Sequence, residues 1–209
     1  WRPTCSGTEI PQRCAGGGLY ADGATLLLER ATIADNGASG NGYVKGGGLY
    51  VADSEVLLSL SIIERNGVYT TNWAARGGGI AAERSVLQVY ATVISGNGAS
   101  SSEYHNTARG GAVWFNGGQA SEGSVLANVV LERNAALALS PELGAGVVYV
   151  ESGRLHVSHS TVSFYNTTSA RAGLFVGPVH LSNSIVWGYG PSLQTSHTEP
   201  IFGDVATAE

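Results

Sequence analysis

A glycine-rich motif recurs about every 30 residues, and this periodicity restricts the fold more than any other feature of the chain. Each copy consists of two or three small residues followed by an aliphatic one. The six aliphatic positions are Leu19, Leu49, Ile80, Val113, Val147 and Leu174, separated by 30, 31, 33, 34 and 27 residues. A repeat of this length is typical of proteins in which short structural units stack on one another.

Within each unit, apolar side chains alternate with polar ones, as at Leu26 and Leu28 or at Val56 and Leu58. A period of two indicates β-strands. Each unit is predicted to contain a strand after the glycines, a tight turn, a second strand, a corner at asparagine and a loop of variable length. This arrangement gives three sides per coil.

Stacked units of this kind bury an aliphatic column that no single unit could bury alone. We therefore predict an all-β fold, a right-handed parallel β-helix (solenoid) of about six coils. Its hand follows from the usual hand of parallel strand crossovers. The coils are expected over residues 16–190, with a lead-in over 1–15 and an irregular segment over 191–209.

Two features of the repeat are predicted to be structural. The glycines fit a corner where the backbone needs positive φ or lies very close to the next coil. An asparagine follows an aliphatic residue by three positions in most units, and stacking would place these amides in a hydrogen-bonded ladder. The predicted ladder consists of Asn36, Asn66, Asn97, Asn134 and Asn166.

Composition limits the function classes. The 209 residues carry a formal charge of −5 without clustered Lys or Arg, which argues against nucleic acid as a partner. No apolar run reaches the roughly 18 residues of a transmembrane helix. The two cysteines, Cys5 and Cys14, enclose a short loop, and we expect them to form a disulfide in an oxidising compartment. Because the chain starts at Trp1, we expect either a processed mature form or a segment of a longer protein, and we favour the segment.

The segment Gly110-Gly111-Ala112-Val113 matches a repeat motif of a known group of proteins. With its other copies, the chain resembles right-handed β-helix repeat proteins, and among them the polymorphic outer membrane proteins, which are autotransporter passengers. A second motif of that group, Phe-x-x-Asn, is matched with Ile33, Ile63 or Ile94 at the Phe position. The resemblance implies extracellular or cell-surface display and adhesion. It supplies no catalytic residue.

Two sets of residues are candidates for binding. The segments after the asparagines vary in length on a fixed scaffold, and function tends to lie on such segments. Their aromatic and neighbouring residues form a predicted binding face for a glycan or a surface protein: Tyr43, Tyr69, Trp73, Tyr104 and His105. Four cations, each immediately before a glycine corner, form a predicted basic stripe that could face an acidic glycan or only serve solubility: Lys45, Arg76, Arg109 and Arg171.

Two other functions stay open at this point. A polysaccharide lyase or hydrolase would need acids on adjacent coils, and Asp22, Asp53 and Glu83 come closest, although turns also favour such residues. A subunit of a surface filament or larger assembly would need uncapped ends. The five histidines show no metal-binding spacing, and we expect neither a metal nor any other cofactor.

Overall fold

The structure, a computed structural model, describes residues 4–5, 13–102, 106–117, 123–138, 146–165, 173–189 and 205–206. All regular elements within these residues are β-strands, and each pairs in parallel with the corresponding strand of the next coil. The predicted all-β parallel β-helix is confirmed.

The strands form five sheets. They are called walls 1 to 5 here, in the order in which the chain visits them after each glycine motif. Wall 1 contains β3 (Leu19–Asp22), β8 (Leu49–Ala52), β13 (Ile80–Glu83), β18 (Val113–Asn116), β22 (Gly146–Ser152) and β25 (Gly173–Val176). Wall 2 contains β4 (Thr25–Glu29), β9 (Glu55–Ser59), β14 (Val86–Tyr90), β19 (Val125–Ala127), β23 (Leu155–Ser158) and β26 (Val179–Ser182). Wall 3 contains β5 (Thr32–Ala34), β10 (Ile62–Glu64), β15 (Val93–Ser95), β20 (Val130–Glu132), β24 (Thr161–Tyr165), β27 (Ser184–Tyr189) and β28 (Val205–Ala206).

The remaining two walls are built from the segments that follow the asparagines. Wall 4 contains β1 (Thr4–Cys5), β6 (Gly37–Gly40), β11 (Gly67–Thr70), β16 (Gly98–Ser101) and β21 (Ala135–Leu137). Wall 5 contains β2 (Arg13–Ala15), β7 (Tyr43–Lys45), β12 (Ala74–Arg76) and β17 (Thr107–Arg109). The predicted loops are therefore paired strands, and a coil has five sides where the sequence predicts three.

The number of coils also differs from the prediction. Walls 1 and 2 each contain six strands, one for each glycine motif. Among the described residues, however, wall 4 receives strands from four successive coils and the β1 strand, so about four turns are closed where about six are predicted. The lead-in contributes β1 and β2 to walls 4 and 5, and β28 adds a short strand to wall 3 within the segment predicted to be irregular.

Two separate cores fill the coils that have all five walls. Walls 1, 2 and 3 enclose large aliphatic side chains, of which Leu49, Ile80 and Leu131 are fully buried. Walls 4 and 5 enclose a narrow second core in which alanine predominates: Cys14, Ala38, Val44, Val68, Ala75, Ala99, Ala108, Ala136 and Ala138. The cross-section thus has a large lobe and a small lobe.

The glycine runs lie where the two lobes meet. The first glycine of a run has positive φ, as at Gly77 with 67°. The second lies against neighbouring backbone, since a Cβ atom on Gly78 would be 2.4 Å from the carbonyl oxygen of Gly98. Because no side chain fits between two backbones at this distance, the motif must repeat in every coil that has both lobes.

The corner between walls 3 and 4 carries the asparagine ladder. The side-chain amide of Asn36 donates to Oδ1 of Asn66 at 3.1 Å, and the step repeats from Asn66 to Asn97 and from Asn97 to Asn134 at 3.0 Å each. The same Oδ1 atoms accept the backbone N–H of the asparagine in the preceding coil. Asn166 lies outside the described residues.

The residue before each asparagine, and not the asparagine itself, adopts the left-handed conformation, as Arg65 does with φ of 51°. The corner after wall 2 follows the same rule with hydroxyl groups. Leu60 has φ of 50°, and Oγ of the next residue, Ser61, accepts the backbone N–H of Ala31 at 3.0 Å. A side-chain oxygen therefore replaces the carbonyl that a turning backbone can no longer offer to the neighbouring coil.

The repeat loses its register in the later coils. Val113 pairs with Val148 and not with Val147, and Val148 in turn pairs with Phe175 and not with Leu174. The predicted aliphatic positions are thus one residue early in these two coils. Val147 and Leu174 are nevertheless buried in the large core.

Two glycine-to-alanine substitutions should distinguish the effect of the close backbone contact between the lobes from the general effect of replacing a glycine with alanine. We expect Gly78→Ala to destabilise the fold by more than about 3 kcal/mol, because its Cβ would overlap backbone atoms that cannot move independently. Gly67→Ala is the matched control, since its Cβ would lie 3.6 Å from the nearest atom, and it should be neutral or stabilising by about 0.5 kcal/mol. Denaturant unfolding measures both. Equal effects would contradict this account of the motif.

Candidate functional site

The structure divides the predicted binding face between two walls. Tyr43 lies on β7 and Trp73 immediately precedes β12, so both belong to wall 5. Tyr69 lies on β11 in wall 4. Tyr104 and His105 lie outside the described residues. Of the predicted set, Tyr43 and Trp73 therefore come together, with ring centroids 5.6 Å apart and planes tilted by 43°.

Trp73 is held in an unusual backbone conformation. Its φ is 87°, a value that costs a residue with a large side chain about 1–3 kcal/mol. The Trp73 backbone N–H donates to Oδ1 of the buried Asn106 at 2.9 Å, and its carbonyl accepts the backbone N–H of Thr107 at 3.0 Å. The amide nitrogen of Asn106 also donates to the Thr71 carbonyl at 3.1 Å. These bonds fix a partly exposed indole ring on the outer surface.

The predicted basic stripe forms a row in register. Lys45, Arg76 and Arg109 are paired positions at the ends of β7, β12 and β17. Arg171 lies outside the described residues. Each cation projects toward the outer surface of wall 1, where the aromatic residues Tyr50, Trp114 and Tyr149 lie in one row with Ala81.

Those aromatic rings lie under the cations. The Lys45 ammonium is 5.2 Å from the ring centroid of Trp114, and the Arg76 guanidinium carbon is 4.9 Å from the same ring. Arg109 lies 4.7 Å above Tyr149. At these distances the cations are attracted to the ring faces. They also cover Trp114, which is fully buried although it points away from the core of the coil.

The aromatic face and the basic stripe were predicted as two separate features. In the structure, residues of both line one cleft. Its volume is about 360 Å³. The lining residues are Tyr43, Asn72, Trp73, Ala74, Arg76, Asn106, Thr107 and Arg109. We call this set the wall 5 cleft. Alternation places Tyr43 and Lys45, two residues apart, on one face of β7 and so links the two predicted sets, although Lys45 is not among the residues that line the cleft.

The Lys45 end of the row is neutralised by Glu83. The ammonium lies 2.5 Å from Oε2 of Glu83, and the hydroxyl of Tyr50 donates to the same oxygen at 3.0 Å. Burial alone would raise the pKa of Glu83, but the hydrogen bonds and charge of its neighbours, chiefly Lys45, hold that pKa below its ordinary value. Burial and the Glu83 carboxylate raise the pKa of Tyr50 well above its ordinary value.

At the arginine end of the row, fewer of the side-chain hydrogen-bond donors have close partners. Arg76 and Arg109 share one carboxylate, Glu151, and the nearest Glu151 oxygen is 3.6 Å from each guanidinium. Glu151 also accepts a hydrogen bond from Nε1 of Trp114 at 2.9 Å. The Nε atoms of both arginines are buried and have no hydrogen-bond partner among the described residues.

A second cavity, of about 570 Å³, lies on the outer surface of wall 4. It is bordered by Tyr69 and Arg65, and bare backbone at Gly67 and Gly98 forms its floor. Arg65 makes a two-pronged ion pair with Asp35, at 2.8 Å for both contacts. Tyr69 thus belongs to a different surface from Tyr43 and Trp73.

The turn acids have partners within the molecule. Asp53 makes a two-pronged pair with Arg84 at 2.8 and 2.6 Å, and Asp22 accepts a hydrogen bond from Tyr20 at 3.3 Å. Glu83 is engaged by Lys45, as described above. The predicted turn role does not fully account for Glu83, which contacts Lys45 on wall 5 and Tyr50 on wall 1 as well as Arg84 in the turn.

A pair of histidines stacks on the outer surface of wall 2. His156 and His180 are paired positions of β23 and β26, and their ring centroids are 5.1 Å apart. Burial and the nearby His180 lower the pKa of His156. The described part of the chain contains no group of three His, Cys, Asp or Glu side chains able to hold a metal ion.

Searches of protein-family models, of curated proteins and of solved structures give no match to this chain. None of the described elements is a helix long and apolar enough to cross a membrane.

Removal of the Asn106 side chain should release Trp73. We expect Asn106→Ala to destabilise the fold by about 2 kcal/mol, because it leaves the Trp73 N–H without its acceptor and no longer compensates the strained φ. Amide hydrogen exchange at Trp73 should accelerate in this variant. Asn72→Ala removes an exposed amide from the same turn and is the control. Comparable protection of Trp73 in both variants would show that Asn106 does not hold it.

The Lys45 and Glu83 pair should contribute to the pH dependence of stability. Because the folded-state pKa of Glu83 is lowered, its contribution is complete above the ordinary Glu pKa of about 4.3 and disappears as the pH falls through the folded value. We expect Glu83→Gln to be about 1 kcal/mol less stable than the unmodified chain at pH 7, and this difference should shrink as the pH falls below about 4.3. Unfolding curves from pH 7 to 3 test this, with exposed Glu55→Gln as control. A constant difference across that range would be inconsistent with it.

Proposed function

We propose that the chain is a non-catalytic, structural and adhesive β-helix segment of a longer extracellular or cell-surface protein, of the autotransporter-passenger type. The stacked coils support this role because parallel pairing holds outward side chains in fixed rows, and a rigid array of this kind loses little conformational entropy when it binds a partner. An oxidised Cys5–Cys14 pair would suit such a location. That disulfide stays a prediction, since the Cys5 side chain lies outside the described residues.

The observation that carries the proposal is the aromatic pair of the wall 5 cleft beside two incompletely paired arginines. Tyr43 and Trp73 lie on the outer surface, and the hydrogen bonds to Asn106 and Thr107 hold the backbone of Trp73 in a strained conformation. Strained backbone often accompanies functional sites. Rigid aromatic residues and arginine are enriched where proteins bind their partners. The cleft volume is within the usual range of binding pockets, about 300–1,000 Å³.

Binding of residues 1–209 to surface ligands tests the proposal. Fluorescent beads coated with the chain should be retained on an array of immobilised glycans and cell-surface proteins. The double variant Tyr43→Ala with Trp73→Ala should lower retention at least about tenfold, the effect of losing 1.4 kcal/mol of binding free energy.

Tyr90→Ala is the matched control, because it removes an aromatic ring from wall 2 and should leave retention unchanged. Unfolding midpoints of all variants exclude loss of the fold as the cause. Retention that does not depend on Tyr43 and Trp73, or no retention on any ligand, would refute the proposed role of the cleft.

A further inference from the structure

We infer that the wall 5 cleft binds a uronic acid residue of an acidic glycan. In this arrangement Arg76 and Arg109 hold the sugar carboxylate, and Tyr43 and Trp73 contact the sugar ring. The inference rests on the proposed function and specifies its ligand class.

The first argument is the set of unused hydrogen-bond donors. A guanidinium has five N–H donors, and buried ones are normally bonded. The ion-pair distance of 3.6 Å from Glu151 to each of Arg76 and Arg109 exceeds that of a charge-assisted hydrogen bond, and both Nε atoms are buried without a partner. The two arginine side chains are still 16% and 21% exposed, so an anion in the cleft would accept hydrogen bonds from the accessible N–H groups that Glu151 does not bind closely. A carboxylate matches the planar fork of arginine especially well.

The second argument is local charge. The row contributes three positive charges, from Lys45, Arg76 and Arg109, against two negative charges from Glu83 and Glu151. Lys45 and Glu83 form a close pair, so the uncompensated positive charge belongs to the two arginines that line the cleft. The whole chain carries −5, so this local excess is opposite in sign to the rest of the molecule. It favours anions at this position.

The third argument concerns the neighbouring rings. Arg76 lies 5.3 Å from the ring centroid of Tyr43, and Tyr43 contacts Trp73. A ligand held by the arginines therefore has aromatic surface beside it. The apolar C–H face of a pyranose packs on such rings, and a uronic acid carries its carboxylate directly on that ring. An acidic peptide offers the charge without the flat apolar face.

Titration with a defined oligosaccharide tests the inference. The probe is a trimer of β-1,4-linked glucuronic acid, and its methyl ester is the uncharged control of the same shape. Calorimetry on residues 1–209 should show binding of the acid at least tenfold tighter than that of the ester, and added salt should weaken only the former.

Variants of the arginines identify the contact. The double variant Arg76→Gln with Arg109→Gln should remove the preference for the acid, and Arg109→Lys, which keeps the charge but loses the fork, should reduce it several-fold. Arg65→Gln removes an arginine paired with Asp35 and Glu64 at the corner between walls 3 and 4 and should leave the preference intact. If the double variant does not fold, Arg109→Lys alone decides the test.

Several outcomes would overturn the inference. Equal binding of acid and ester, absence of binding to both, or binding of a hexaglutamate peptide as tight as that of the acid would each exclude a uronate site. If beads are still retained on other ligands through Tyr43 and Trp73, the proposed adhesive function stands although the uronate site is excluded. If that retention is also absent, both proposals fail.

Discussion

The fold depends on a contact between backbones at the centre of each coil. The glycine run that precedes each wall 1 strand lies directly against the first residue of wall 4. Gly78 and Gly98, for example, are too close for any side chain between them. This contact divides the coil into a large aliphatic lobe and a small alanine-rich lobe. Walls 5 and 1 adjoin beside this contact, since the glycine run connects them. The cations of wall 5 cover the aromatic side chains of wall 1 at that junction, and the wall 5 cleft adjoins it.

The corner hydrogen bonds maintain the register that the cleft requires. At most corners a left-handed residue turns the chain out of a wall, and the oxygen of a following Asn, Ser or Thr side chain accepts an N–H from the coil before it. Successive coils are thereby fixed at equivalent positions. The alignment of Lys45, Arg76 and Arg109 follows from this register and not from any attraction among the three like charges. The scaffold therefore holds together a cationic row that would repel itself in a flexible chain.

The large lobe could be predicted from the sequence because its strands alternate bulky aliphatic and polar residues, as at Val56 and Leu58. The small lobe could not, because Ala38 and Ala75 give too weak an alternation to distinguish a strand from a loop. Some residues of the cleft could also be predicted from the sequence, as an aromatic set and a basic set. That the two sets lie side by side could not be predicted, because it depends on the pairing of the wall 5 strands into a sheet. The conformation of Trp73 depends on Asn106, 33 residues away, and no local pattern indicates such a contact.

The two lobes also differ in the strength of their packing. Alanine buries far less apolar surface than leucine or isoleucine, so walls 4 and 5 gain less free energy per coil from the hydrophobic effect than walls 1 to 3. Sub-global opening begins where such stabilisation is smallest. A tensile load along the stack of coils would therefore open the small lobe first while the aliphatic column stays closed. Since the wall 5 cleft lies on the small lobe, a ligand bound there as proposed would be released under load before the large lobe unfolds.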